Sequence, residues 1–78
     1  MKPYILHYAP DNASVIVRMA LDAIGQPFDA VLVDRSRHAQ TSPEYLKLNP
    51  HGLIPVLQGA AGAMFETGAI LLWLNDRH

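Results

Sequence analysis

Ser14 lies just after a short apolar run and in the first turn of a helical stretch. Free backbone N–H groups and the positive end of a helix dipole converge at such a place. A hydroxyl there either donates a hydrogen bond to a bound anion or thiolate, or caps its own helix. Farther along, Ile54-Pro55 opens another apolar run, and Glu66-Thr67 precedes a last helical stretch. About 5–6% of X–Pro bonds in folded proteins are cis, so the local sequence at Pro55 favours trans. Glu66-Thr67 reads either as a cap with a first-turn acid or as a receptor for an ammonium group. His7, His38, His51 and His78 are scattered, no two of them four apart, and no Cys joins them, so they do not spell a zinc site. His7 falls inside a strand and reads as structural. His38 and His51 fall in loops, within reach of a ligand or simply in solvent. Gly59-Ala60-Ala61-Gly62 lacks the spacing and the Lys-Ser/Thr of a phosphate loop. Trp73 and the methionines read as core.

The elements that must position these residues follow from spacing. Tyr4 to Tyr8 is short, β-branched and aromatic, and ends at Ala9-Pro10-Asp11-Asn12, a strand followed by a turn. Asp11 and Asn12 are good N-cap types. Ala13 to Ile24 has helical spacing, with Gly25 as its stop. Phe28 to Val33 is a second strand opened by Pro27, and Asp34 to Gln40 is a polar loop. Ser42-Pro43-Glu44 combines a cap, a proline at the first position and a first-turn acid, so a helix starts there. Asn49-Pro50-His51-Gly52 keeps it short. Leu53 to Gln58 is a third strand with its proline near the start. After the Gly59–Gly62 turn, Ala63 to Phe65 is a fourth. Thr67 caps the last helix. The order is βαβαββα, an α/β (α+β) arrangement, with no repeat or internal linker.

Composition bounds the function. The 78 residues make one domain at most. Six Lys and Arg stand against seven Asp and Glu, a net charge of −1, which gives no electrostatic reason to expect nucleic acid or an anionic membrane. Half the residues are hydrophobic and 17% charged, which excludes a disordered tail. With no cysteine there is no disulfide framework, thiolate metal site or dithiol redox motif, and a reducing, cytoplasmic setting is expected. Met1-Lys2-Pro3-Tyr4 opens no secretory signal. The longest apolar run, Ala69 to Leu74, is far short of a membrane span.

Two helices are too apolar for a free-standing domain. Within Val15 to Ile24 the polar residues are Arg18 and Asp22, four apart on one face and placed to pair. Ala69 to Leu74 has no polar face. A helix covering one side of a sheet keeps a charged stripe towards water. The expectation is that both are covered on their second side, by a dimer partner or by a further domain after His78.

Taken in order, four stretches resemble the amino-terminal domain of the glutathione S-transferases. They are Tyr8-Ala9-Pro10 with Ser14, Val17-Arg18-Met19-Ala20-Leu21 and Gly25-Gln26-Pro27-Phe28; Ser42-Pro43-Glu44-Tyr45-Leu46-Lys47-Leu48-Asn49-Pro50-His51-Gly52; Leu53-Ile54-Pro55-Val56-Leu57; and Glu66-Thr67-Gly68-Ala69-Ile70-Leu71-Leu72-Trp73-Leu74. The resemblance covers nearly the whole chain. It implies a thioredoxin-like fold, a mixed four-stranded sheet flanked by three helices. It implies a cis bond before Pro55, with the Ile54 backbone pairing the cysteinyl part of glutathione. Glu66 and Thr67 would hold the γ-glutamyl end, Leu53 would lie near the glycine carboxylate, and His38 would join the residues touching the tripeptide. Ser14, four residues before Arg18, occupies the place of the thiolate-stabilising serine of theta-like members; in a zeta-like register that place falls nearer Asp11 or Asn12. Ala13 stands where beta-class members carry cysteine, so that chemistry is unavailable. The implied activity is conjugation of glutathione, as co-substrate, to a small electrophile, or reduction of a peroxide, in detoxification. The alternative is a non-catalytic binding or protein-interaction module of the same fold. A homodimer, or a helical carboxy-terminal domain packed on helices 13–24 and 67–76, is the implied partner.

Overall fold

The computed structural model describes residues 4–78; Met1–Pro3, read above for a leader, lie outside the described residues. Strand β1 (Tyr4–Tyr8) is central. Its alternation sends Tyr4 and Leu6 into one core and His7 to the opposite face. Strand β2 (Phe28–Leu32) runs parallel to it on one side. Strand β3 (Val56–Gly59) runs antiparallel on the other, and β4 (Gly62–Phe65) closes a hairpin on β3. The sheet order is β2-β1-β3-β4. Helices α1 (Ser14–Ala23) and α3 (Thr67–Arg77) lie together on one face, where Val17, Leu21, Ile70 and Leu74 close over Tyr4, Leu6 and Leu57. The single-turn helix α2 (Pro43–Leu46) covers the other face with a smaller core of Val33, Tyr45 and Val56. The element order is the βαβαββα read from the residues, and the mixed four-stranded sheet with three helices is the one the family resemblance implied.

Local chemistry explains the boundaries. Helix α1 ends in a Schellman turn: Gly25 N–H donates to Asp22 and Gln26 N–H to Leu21, with Gly25 at φ +70°. Ser42 Oγ accepts from Tyr45 N at 3.2 Å and Pro43 takes the first position of α2. The segment after β2 winds into two 3-10 turns, Arg35–Arg37 and Ala39–Thr41. Asp34 starts the first by accepting from the backbone and hydroxyl of Ser36, and the hydroxyl bond foremost holds its carboxyl below the usual range.

Three expectations are corrected. Strand β3 begins at Val56, not Leu53, because the Leu53 carbonyl is drawn towards α2 and Pro55 has no N–H for a ladder. Thr67 is the first residue of α3; Glu66 holds the cap position, at φ +73° and with no side-chain cap bond. Arg18 does not pair with Asp22 but lies over the rings of Tyr8 and Phe28. Outside the core, Val15, Ile16, Met19 (65% exposed) and Leu72 (73%) point outwards from α1 and α3. Among the described residues no helix is long and apolar enough to cross a membrane.

Candidate functional site

The β3–β4 register sets the site. Val56 faces Phe65 across the hairpin, so the chain just before Val56 and the chain just after Phe65 leave the sheet side by side. Ile54-Pro55 and Glu66-Thr67 therefore meet. With Leu53 and Asn49 they line one cavity of about 100 Å³. The Ile54–Pro55 bond is cis, as the family resemblance implied and against the local odds.

Two donors shape the near wall. The Tyr45 hydroxyl donates to the Leu53 carbonyl at 2.6 Å, and Asn49 Nδ2 donates to the same oxygen at 3.1 Å. Asn49 is 2% exposed, and its Oδ1 accepts from His51 N at 3.0 Å, which closes the Pro50–Gly52 turn. Burial pushes the Tyr45 phenol up to about 12. On the far wall Glu66 exposes a carboxylate directly before the N-terminus of α3, where Thr67 brings a hydroxyl and the first unpaired N–H groups of the helix gather. A carboxylate beside a helix N-terminus accommodates a paired ammonium and carboxylate, one charge on each.

The other predicted residues lie elsewhere. Ser14 is 1% exposed, and its hydroxyl is held on Ala9, accepting from the N–H at 3.2 Å and donating to the carbonyl at 3.1 Å. It caps nothing; Asn12 Oδ1 accepts from Ser14 N at 2.9 Å. Ser14 borders a second cavity of about 170 Å³ with Tyr8, Ala9, Pro10, Asp11, Val15 and Arg18. Asp11 lies on that rim at φ +51°, and the Arg35 guanidinium donates to the neighbouring Pro10 carbonyl. His38, at φ +54°, is exposed between the two 3-10 turns and does not line the Ile54–Glu66 cavity.

Sequence reasoning missed Gln40. Its Oε1 is the one buried side-chain polar atom without a partner among the described residues. Its backbone carbonyl backs onto Gly52, where a Cβ would come within 3.2 Å, so Gln40 abuts the loop that delivers Leu53. From the sequence, Tyr45 and Asn49 read only as parts of a helix and of its breaker. Nothing in the linear sequence marks the Tyr45 hydroxyl as aimed at this loop, or Gln40 as lying behind it.

Sheet order and helix placement together define a thioredoxin-like domain. The family model for the glutathione S-transferase N-terminal domain matches residues 13–77, and the chain belongs to that family. It is 32% identical over 71 residues to a zeta-class glutathione S-transferase of Euphorbia esula, covering 91% of this chain and 32% of that protein. It is 37% identical over 69 residues to a maleylacetoacetate isomerase of Rhizobium meliloti (strain 1021), covering 88% of this chain and 32% of the relative. Among solved structures, a glutathione transferase homologue from Sulfitobacter with bound glutathione superposes with a TM-score of 0.92 at 33% identity, covering 99% of this chain and 38% of the other. A family member from Pseudomonas fluorescens Pf-5 with two glutathione molecules bound gives a TM-score of 0.88 at 33% identity, over 97% and 36%. The chain thus spans about a third of the length of these relatives.

Proposed function

We propose that this chain is the glutathione-binding part of a glutathione transferase, completed by a helical segment or a second copy over α1 and α3. The observation that carries the reading is the single cavity joining Ile54-Pro55 to Glu66-Thr67. The Ile54 backbone pairs the cysteinyl unit, the Glu66 carboxylate takes the γ-glutamyl ammonium, and Thr67 with the start of α3 takes its carboxylate. Leu53 borders the glycine end, with Gln40 behind Gly52 and His38 farther out on the same loop side.

The thiolate faces the Pro10–Asn12 loop at the start of α1. Ser14 serves it by fixing Ala9, and the Asn12 amide, whose Oδ1 is used on Ser14 N, offers its N–H to the sulfur. Lowering a thiol from its reference pKa near 8.5 takes about 1.4 kcal/mol of preferential thiolate stabilisation per unit. One charge-assisted bond and a helix terminus are of that size. The thiol proton leaves to solvent. The sulfur lone pair then forms a C–S bond with a small electrophile, and the leaving group departs with its bonding pair. With a peroxide, the sulfur takes one oxygen as the O–O bond breaks and an alcohol leaves; a second glutathione converts the resulting sulfenic acid to disulfide and water.

One observation favours a second reading, a non-catalytic glutathione-binding module: the Ser14 hydroxyl proton is already given to Ala9. Calorimetry with glutathione and with an analogue lacking the γ-glutamyl amine, on the wild type and on Glu66→Gln, tests binding. Glu66→Gln is expected to weaken glutathione about tenfold or more and to leave the analogue unaffected, as for loss of one charge-assisted pair. Absence of glutathione binding overturns both readings. Binding without turnover of 1-chloro-2,4-dinitrobenzene or cumene hydroperoxide selects the second.

A further inference from the structure

The Leu53 carbonyl and the Ile54 N–H belong to one planar trans peptide, because the cis bond lies one residue later. They point in opposite directions, so whatever fixes one aims the other. The carbonyl is fixed twice from the protein side, by the Tyr45 hydroxyl at 2.6 Å and by Asn49 Nδ2 at 3.1 Å. Both residues are buried, Tyr45 at 6% and Asn49 at 2% exposure. The Ile54 N–H at the other end of the same plane has no hydrogen-bond partner among the described residues, and Ile54 is one of the residues lining the Ile54–Glu66 cavity.

We infer that Tyr45 is a positioning residue for the tripeptide: its hydroxyl, with the Asn49 amide, holds the Leu53–Ile54 peptide plane so that the Ile54 N–H is already aimed at a ligand carbonyl. The inference rests on the glutathione-binding reading and deepens it. A pinned carbonyl removes the rotation that a free loop would have to give up on binding. The ring itself has a separate task, filling the core of Val33 and Val56 and meeting the His7 ring edge-on at 6.1 Å. Tyr45→Phe therefore keeps the packing and removes only the donor.

The experiment uses the protein as its gene encodes it. Tyr45→Phe is expected to raise the dissociation constant and KM for glutathione about three- to tenfold, the net contribution of one neutral hydrogen bond, with kcat unchanged. Val33→Ala, in the same core but without the donor, is the control. It lowers the melting temperature and leaves glutathione affinity as it was. Tyr45→Phe binding glutathione as tightly as the wild type, or Val33→Ala weakening it equally, overturns the inference while glutathione binding by the wild type stands. No binding by the wild type is failure of the underlying reading instead. Should Tyr45→Phe not fold, the carbonyl carbon shift of Leu53 in the wild type gives the answer. A resonance unmoved by saturating glutathione marks a plane set in advance, and a large displacement overturns the idea.

Discussion

The Arg18 guanidinium lies 5.3 Å from the centre of the Tyr8 ring rather than against Asp22, one turn along the same helix. A second ring, Phe28, lies 5.7 Å away. An exposed i,i+4 ion pair contributes about 0.3–0.5 kcal/mol, whereas a cation over an aromatic face contributes about 0.5–1 kcal/mol and here meets two. Asp22→Asn is accordingly expected to leave stability within about 0.3 kcal/mol, and Phe28→Leu to lower it by about 1 kcal/mol through the lost ring contact and packing. Urea titration of both variants checks the ordering.

Ser14 and Asn12 separate loop architecture from thiolate chemistry. Ser14→Ala strips both partners from the Ala9 backbone at a buried site and is expected to cost about 1–3 kcal/mol of stability. Asn12→Ala is expected to raise the pKa of bound glutathione by about one unit, and by more than Ser14→Ala does. Ultraviolet titration of the thiolate in both variants decides. A larger rise for Ser14→Ala would return the direct thiolate contact to the serine.

Among the described residues, Gln40 carries a buried acceptor without a hydrogen-bond partner. Gln40→Leu is expected to raise the stability of the free protein by about 1 kcal/mol, since an unpaired buried polar atom is lost. It is expected at the same time to weaken glutathione binding. Thermal melts with and without glutathione read both effects from one sample.

Tyr45 gives the fold an alkaline edge. Its phenol, near 10 when unfolded, is pushed up to about 12 by burial. A group whose folded pKa is raised contributes stability fully present below the unfolded value and lost as pH rises through the folded one. Stability should therefore fall between about pH 10 and 12, and Tyr45→Phe should flatten that fall. Denaturant midpoints at pH 9, 10, 11 and 12 make the comparison.

The outward side chains of Val15, Ile16, Met19 and Leu72 predict association. Covering each 400 Å² of such surface contributes on the order of 10 kcal/mol gross. The 78-residue chain alone is expected to self-associate at micromolar concentration, and Met19→Glu with Leu72→Glu to make it monomeric without unfolding it. Sedimentation velocity of both forms is the check. A monomeric wild-type chain would show that these faces need no cover.

Much of the fold was legible because its signals are local. Tyr4–Tyr8 is short, β-branched and aromatic, Ser42-Pro43-Glu44 starts a helix, and Gly25 stops one. The Gly59–Gly62 pair closes a tight hairpin. The site was legible only in part. Local statistics argued against a cis bond at Pro55, and the family resemblance alone pointed to it. The Ser14 hydroxyl found a backbone partner five residues back, a choice that depends on how β1 enters α1. Thr67 lost the cap position to Glu66 because the chain turns at a positive φ to leave β4. Gln40 and the Tyr45 hydroxyl became visible only when the Gly52–Leu53 loop folded back over them.

The β3–β4 hairpin divides labour within the chain. Both walls of the Ile54–Glu66 cavity hang from one short ladder whose turn is two residues long, while the Pro10–Asn12 loop hangs from β1 and α1. On the proposed function, grip on the tripeptide backbone and activation of its sulfur are built on separate stretches of sequence. A change in the first can alter affinity without touching reactivity, and a change in the second can retune or silence the sulfur while the tripeptide is still held. Reactive and unreactive descendants of one such scaffold need differ by little more than a single turn.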